Sequence, residues 1–428
     1  MLSACGNTDS TGQWSNAELV LANISYPQIS VKTGTDGKGN TLAVYNQPDG
    51  IYALFFTTHS GLSTPQKIAD NPEQYVSFNK LHLAVNDRGD AIAAWVHDQI
   101  GNTYIQTVRY TFGSGWERPR QLPTPNLVFS LDIALDADGN SAIAWEGWDA
   151  SDVQRHIFAS RSLSASEWEA PVLVSTSIWN AQYPRIAMDN TGNAFVLWVE
   201  GQFYTSSVNV SRYATNSGWR PPQLIASNSG PAAWTNIAFD DDGNAMALWG
   251  QSDGTGHDHI YSCRYAAGTG WGSSVVVDSN TLDSIEPALT LGTNGSFLAI
   301  WVQLNGTGSD IYSSRHDAAS GWETPRMAGA GGNARSPHIA ADGAGNVFVA
   351  WQQYDPNDIY SGDANVYVNR FTDESGWRRQ KQLKNTLGGA GVPEISVDSN
   401  GHATAVWLQS VASPPATMLY GMFYSRFQ

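Results

Sequence analysis

One motif recurs from end to end of the 428-residue chain and limits what it can fold into. Ile186-Ala-Met-Asp-Asn-Thr-Gly-Asn-Ala-Phe-Val-Leu-Trp198 reads as a strand, a tight Asp/Asn/Gly turn and a second strand ending in tryptophan. Copies stand at 133–145, 237–249, 339–351 and 395–407. The closing aromatic falls at Tyr45, Trp95, Trp145, Trp198, Trp249, Trp301, Trp351 and Trp407, at intervals of 50 to 56 residues. Each is followed by a variable loop, a strand carrying an arginine, a Ser-Gly turn and a strand opened by another tryptophan. Such a unit cannot bury its apolar faces alone, so neighbouring units must stack.

Four-stranded units at this period are the signature of β-propeller blades. Parallel β/α units would need helical periodicity, which no stretch shows, and a linear solenoid would need polar capping units at both ends. Eight units begin near Tyr26, Lys80, Ser130, Tyr183, Trp234, Glu286, Ser336 and Val392. The eighth ends after its third strand, whereas residues 12–21 form a strand that belongs to no unit. The expectation is an all-β, eight-bladed β-propeller with four antiparallel strands per blade. Its ring is closed by the N-terminal strand completing the last blade, which removes an exposed sheet edge. Residues 12–428 then make a single domain and residues 1–11 a polar tether.

Composition agrees: 14% charged residues, 11% aromatics and 41 glycines suit short strands and tight turns better than helices. With 39 acidic against 23 basic side chains the formal charge is −16, which argues against a nucleic-acid partner. No run of 18 apolar residues is present, so no membrane-spanning helix is expected.

Features shared by every unit read as scaffold. Asp136 to Asn140 and Asp240 to Asn244 look like fragments of calcium loops, but Asp/Asn capping of a tight turn explains them together with their less acidic counterparts. An arginine precedes a tryptophan by seven residues at 109/116, 161/168, 212/219, 264/271, 315/322 and 370/377, with Arg426 expected to find Trp14. That spacing suggests guanidinium–indole stacking across a hairpin, a structural role. Cys263, within Ile260-Tyr-Ser-Cys-Arg-Tyr265, reads as a small buried hydrophobe.

What the repeat leaves over is where function is sought. Of 17 tryptophans, seven close second strands and seven open fourth strands. The other three, Trp148, Trp179 and Trp234, fall in loops or strand starts that emerge on one face of adjacent units, beside Asn180, Gln182 and Tyr183. Exposed indoles next to polar groups suit stacking on sugar rings or on a partner's apolar side chains. A second set is the residue before Ile/Leu in each first strand, expected at the mouth of the central channel: Gln28, His82, Asp132, Arg185, Asn236, Ala288, His338 and Glu394. These positions vary chemically while their surroundings repeat. The Asp253–His259 loop holds two histidines and two aspartates, yet a polar loop explains it more simply than a metal, and no metal or cofactor is expected.

Leu2-Ser-Ala-Cys5-Gly6 resembles the lipobox of bacterial lipoproteins. The resemblance implies lipidation of Cys5 and anchoring at the cell envelope, periplasmic or on the outer surface. The repeat is similar only loosely to the Asp-box of sialidases, which lies between third and fourth strands rather than first and second. Sialidases need three arginines and a Tyr/Glu pair. Here Arg155, Arg185 and Arg335 are spread over units three, four and seven, and no Ser/His/Asp motif, nucleotide-binding loop or carboxylate pair is evident. The function expected is a monomeric, non-catalytic binding or scaffold propeller recognising a glycan or envelope protein through its loop face. The alternative is a carbohydrate-active enzyme, a sialidase-like glycosidase or polysaccharide lyase, working at the channel mouth.

Overall fold

In most units the chain turns where it does because one carboxylate organises the turn; Asn86 does so with its amide oxygen in unit two. Asp136 Oδ1 accepts the Asp138 and Asn140 amides (2.9 and 2.8 Å) and its Oδ2 accepts the Asn140 side-chain amide (2.8 Å). Asp189, Asp240 and Asp342 repeat the pattern. The turn also needs a left-handed residue, which Gly139 supplies at φ 82°. These carboxylates already face donors from their own loop.

The computed structural model describes residues 12–24, 30–57, 61–70, 80–99, 102–124, 127–148, 154–164, 167–202, 205–228, 230–279, 281–354, 364–383, 388–412 and 419–428. Cys5 and Gln28 lie outside them. The described residues are all-β apart from a three-residue 3-10 turn, Thr293–Gly295. No helix among them is long and apolar enough to cross a membrane.

Unit four shows the pattern. An inner strand, Ala181–Met188, pairs antiparallel with a second, Ala194–Gln202, and that with a third, Thr205–Ala214. The expected fourth strand is split into two pieces, Gly218–Trp219 and Gln223–Asn228, both paired to the third. The remaining sheets follow the same order, and the largest joins two such units through one parallel bridge, Ser309 to Asn333. Each inner strand packs on that of the next unit, and Val31–Thr35 packs on both Leu81–Val85 and Glu394–Val397. At the chain ends, Glu18–Ile24 pairs with Leu419–Phe427, itself paired to Ala403–Ala412. Trp14 bridges Phe427, and the Gln13 amide donates to the Gln428 carbonyl (3.0 Å).

The second strands explain the repeat's apolar content. Ala194, Val196 and Trp198 face unit three and meet Ala142 and Ala144, whereas Phe195, Leu197 and Val199 face unit five and meet Ala245, Ala247 and Trp249. A strand covered on both faces must be apolar at every position. Tyr45 and the seven closing tryptophans are essentially inaccessible to water. Burying an indole of this size contributes on the order of 5 kcal/mol. It also buries an N–H, which in five of the seven tryptophans finds a partner two residues on: Trp198 donates to Glu200 (2.7 Å), Trp249 to Gln251 (3.0 Å), Trp301 to Gln303 (3.1 Å), Trp351 to Gln353 (2.9 Å) and Trp407 to Gln409 (3.2 Å).

The arginine–tryptophan pairing differs from the sequence expectation. Trp116, Trp219, Trp271, Trp322 and Trp377 sit opposite the residue after the arginine, namely Tyr110, Tyr213, Tyr265, His316 and Phe371. Side chains alternate along a strand, so this one-residue difference turns the arginine to the other face. Arg161 covers Tyr213 of the next unit at 4.0 Å, and Arg370 covers Phe427 at 4.9 Å. Arg109 donates to the Gly139 carbonyl and to Ser141 Oγ (2.8 Å), and Arg426 to the Gly39 carbonyl (3.1 Å). The arginines clamp one unit to the next.

Candidate functional site

The polar row begins four residues before each turn's Asp or its counterpart. Counting back from Asp36 puts Lys32, not Gln28, in this row of unit one, where it pairs across from Val44 as His82 does from Ala94. The row is therefore Lys32, His82, Asp132, Arg185, Asn236, Ala288, His338 and Glu394. Aligning unit one on its Ile29-Ser-Val31 run instead of its turn hid the lysine.

Neighbours in the row interact. His82 Nδ1 lies 3.0 Å from Asp132 Oδ1, and Asp132 Oδ2 accepts the Ile186 amide at 3.0 Å. Burial opposes ionisation of Asp132, but His82, the Arg185 charge and the Ile186 N–H together hold its carboxyl below the usual carboxylate range. Lys32 Nζ meets Glu394 Oε1 at 2.5 Å, and His338 Nε2 stands 3.6 Å from Glu394 Oε2. Burial again opposes ionisation of Glu394, and His338 and Lys32 more than offset it. Desolvation, then the Lys32 and Arg185 charges, push His338 below the ordinary histidine range, with Glu394 acting in the opposite direction. His338 keeps 39% of its side chain open to water, so it is crowded by protein rather than sealed. The order histidine, carboxylate, cation thus occurs twice in consecutive units: His82, Asp132, Arg185 and His338, Glu394, Lys32.

Two residues before the row, units four to seven carry a β-bulge that the sequence did not suggest. Gln182 pairs with Val199 but Arg185 with Leu197, so one residue is extra; the same shift separates Ala233 from Asn236, Ile285 from Ala288 and Arg335 from His338. The extra residue is left-handed each time: Tyr183 (φ 56°), Trp234 (φ 53°), Glu286 (φ 52°) and Ser336 (φ 48°). Non-glycine residues in this region cost about 1–3 kcal/mol each. Pro184, Pro287 and Pro337 follow three of them, and proline has no N–H to strand at the bulge. A proline inside an inner strand was the available signal.

The bulges push two rings into solvent. Tyr183 is 52% exposed and Trp234 41% exposed, at equivalent positions of adjacent units. The units are tied there: Thr235 Oγ1 donates to the Tyr183 carbonyl (2.7 Å) and Arg185 Nε to the Thr235 carbonyl (3.2 Å). Trp234 lies across the backbone of Gly250, whose absent Cβ would stand 2.8 Å from the indole. Trp179 (44% exposed) and Ile178 (70%) extend the apolar surface on the connection into unit four. Trp148 is placed differently. It is half-buried, edge-on to Phe129 at 5.2 Å, and Arg155 covers the same Phe129 at 4.1 Å. Asn180 accepts the Arg155 amide (3.0 Å), which links the Trp148 and Trp179 neighbourhoods. Asn236 donates to the Trp234 and Pro287 carbonyls (3.0 and 2.9 Å).

In the Asp253–His259 loop, His257 meets Asp283 (3.2 Å) and His259 meets buried Asp278 (3.0 Å). No group of three or more His, Cys, Asp or Glu side chains among the described residues is arranged to hold a metal ion. Cys263 is buried, and desolvation pushes its thiol up to about 11.

The fold defines a propeller-like, all-β protein. No family model matches the sequence, and no curated protein does. Among solved structures the chain is similar to the polysaccharide lyase Uly1, at 11% identity over 95% of this chain and 99% of that one, with a TM-score of 0.51. It is also similar to an ulvan lyase from a new polysaccharide lyase family (9% identity, 87% and 96% covered, TM-score 0.51). A puromycin hydrolase matches at 13% identity over 91% of this chain and 60% of that chain, with a TM-score of 0.52. At these identities the likeness is one of fold.

Proposed function

We propose that residues 12–428 form one eight-bladed propeller whose mouth binds a glycan. Pairing of Glu18–Ile24 with Leu419–Phe427, and packing of Val31–Thr35 on Glu394–Val397, support closure of the ring. The polar row then lines the channel, and Tyr183 and Trp234 stand at its mouth. The observation that carries the reading is this pair of half-exposed rings, held out by strained bulges on adjacent strands. Backbone strain persists where surrounding structure enforces it, and it clusters at ligand sites. A flat, exposed aromatic pair above polar groups is what stacking on successive sugar rings requires.

Gln13 and Gln428 then lie on the opposite side. Arg426 reaches the Gly39 carbonyl at a turn, whereas Tyr183 and Asp189 mark opposite ends of an inner strand, roughly 20 Å apart at 3.3 Å per residue. A lipid on Cys5 would tether the turn side to the envelope and leave the mouth facing away. The chain then acts as an envelope-anchored binding protein.

A glycan array with the full chain tests this. Replacing Tyr183 and Trp234 together by alanine should abolish binding to any hit; retained binding would move the site elsewhere. The His82–Asp132 pair at 3.0 Å favours a second reading, acid–base chemistry on the bound glycan. Product release from a hit polysaccharide, lost in His82→Gln, would convert the binding protein into an enzyme.

A further inference from the structure

We infer that the glycan is acidic and that Arg185 anchors its carboxylate or sulfate group; the inference rests on the glycan reading above. Four charged groups of the row around Arg185, namely Lys32, Glu394, His82 and Asp132, have partners in contact. Lys32 faces Glu394, and the Asp132 oxygens receive His82, the Ile133 amide and the Ile186 amide. Arg185 feels the Asp132 charge but makes no contact ion pair with it. Its Nε donates to the Thr235 carbonyl, which fixes the plane of the guanidinium, and no carboxylate oxygen of the described residues lies within 4.0 Å of it. Nη1 and Nη2 have no hydrogen-bond acceptor among the described residues, and neither is sealed from water. A planar fork with two free donors is the geometry that recognises a carboxylate or sulfate bidentately.

Its setting selects a sugar acid over a free anion. Arg185 lies two residues along the strand from Tyr183 and one unit from Trp234, so a saccharide on those rings brings a substituent to the fork. Asn236 spends its amide hydrogens on Trp234 and Pro287, which leaves Oδ1 to accept from a sugar hydroxyl. The formal charge of −16 repels polyanions from the rest of the surface, so attraction must come from this local contact.

The test measures binding of the full chain by calorimetry to polygalacturonate, a glucuronate-containing chain, a mannuronate chain and a sulfated galactan, each beside its carboxyl-reduced or desulfated counterpart. At least one acidic chain should bind about tenfold or more tightly than its neutral counterpart, and the tighter class identifies carboxylate or sulfate. Arg185→Gln should remove that preference, bringing the acidic chain down to the affinity of its neutral counterpart, while circular dichroism shows that the variant keeps its β structure. Arg185→Lys, a point charge without the fork, should restore only part of it. Trp234→Ala should weaken acidic and neutral chains alike. Equal binding of acidic and neutral chains, unaffected by Arg185→Gln, overturns the anchor and leaves the glycan reading standing. No binding by any chain overturns both.

Discussion

At the residue scale the left-handed bulge positions set stability against function. Tyr183 holds φ 56° ahead of a proline and exposes its ring. Glycine adopts this conformation without strain and alanine does not. Tyr183→Gly should therefore be about 1 kcal/mol more stable than Tyr183→Ala in urea unfolding, after allowing for glycine's extra freedom in the unfolded chain, while both lose glycan affinity. Equal stability of the two variants would mean that the backbone relaxes without cost and that the bulge stores nothing. The same comparison at Ser336, which has a small side chain, should show a similar stability difference.

At the scale of elements, the join that can be tested most directly is the one made by the chain ends. Trp14 is buried against Phe348 and Phe427, with ring centroids 6.2 and 5.8 Å away, in the core shared by the last two units. Large-to-small replacement of a buried aromatic costs about 3–5 kcal/mol. Trp14→Ala should lower the melting temperature by roughly 5 °C or more; an unchanged melting temperature would count against the N-terminal strand as a structural part. These elements were legible in the sequence because the Trp, Asp-Gly-Asn and Ser-Gly signals repeat and reinforce one another. Register was less legible. Arg109 and Trp116 are seven apart, yet the Gly115 to Thr111 pairing puts Trp116 opposite Tyr110, a difference that turn geometry sets and residue spacing does not. Lys32 was hidden because Ile29 in unit one imitates the strand's opening Ile/Leu four residues early. Exposed Trp179 and Trp234 were visible by subtraction of the repeat. The bulge beneath Tyr183 carried one signal, Pro184 inside an inner strand, whereas the one beneath Trp234 is followed by Thr235 and carried none.

For the whole molecule, a closed ring, as proposed, would make the position of the chain ends a matter of connectivity only. The described stretch runs from Gly12 to Gln428, and Gln13 hydrogen-bonds with Gln428 between the third and fourth strands of unit eight. The hairpin after Asp317 holds the same place in unit six, with its turn residues exposed and Gly321 at φ 78°. Joining Gln428 to Gly12 by a short flexible linker and opening the chain between Ala319 and Ser320 would make Gly321–Trp322 the new N-terminal strand. Adjacent termini and an exposed cut site favour tolerance of such permutation. Because each apolar cluster is shared between two units, no unit can unfold without exposing its neighbours. The permutant should therefore unfold in one cooperative transition, within a few degrees of the parent, and keep its glycan affinity. An open array would behave otherwise: the cut would separate units one to six from seven and eight except through the linker. Two transitions, or aggregation through a freed edge strand, would then appear and the closed ring would be wrong.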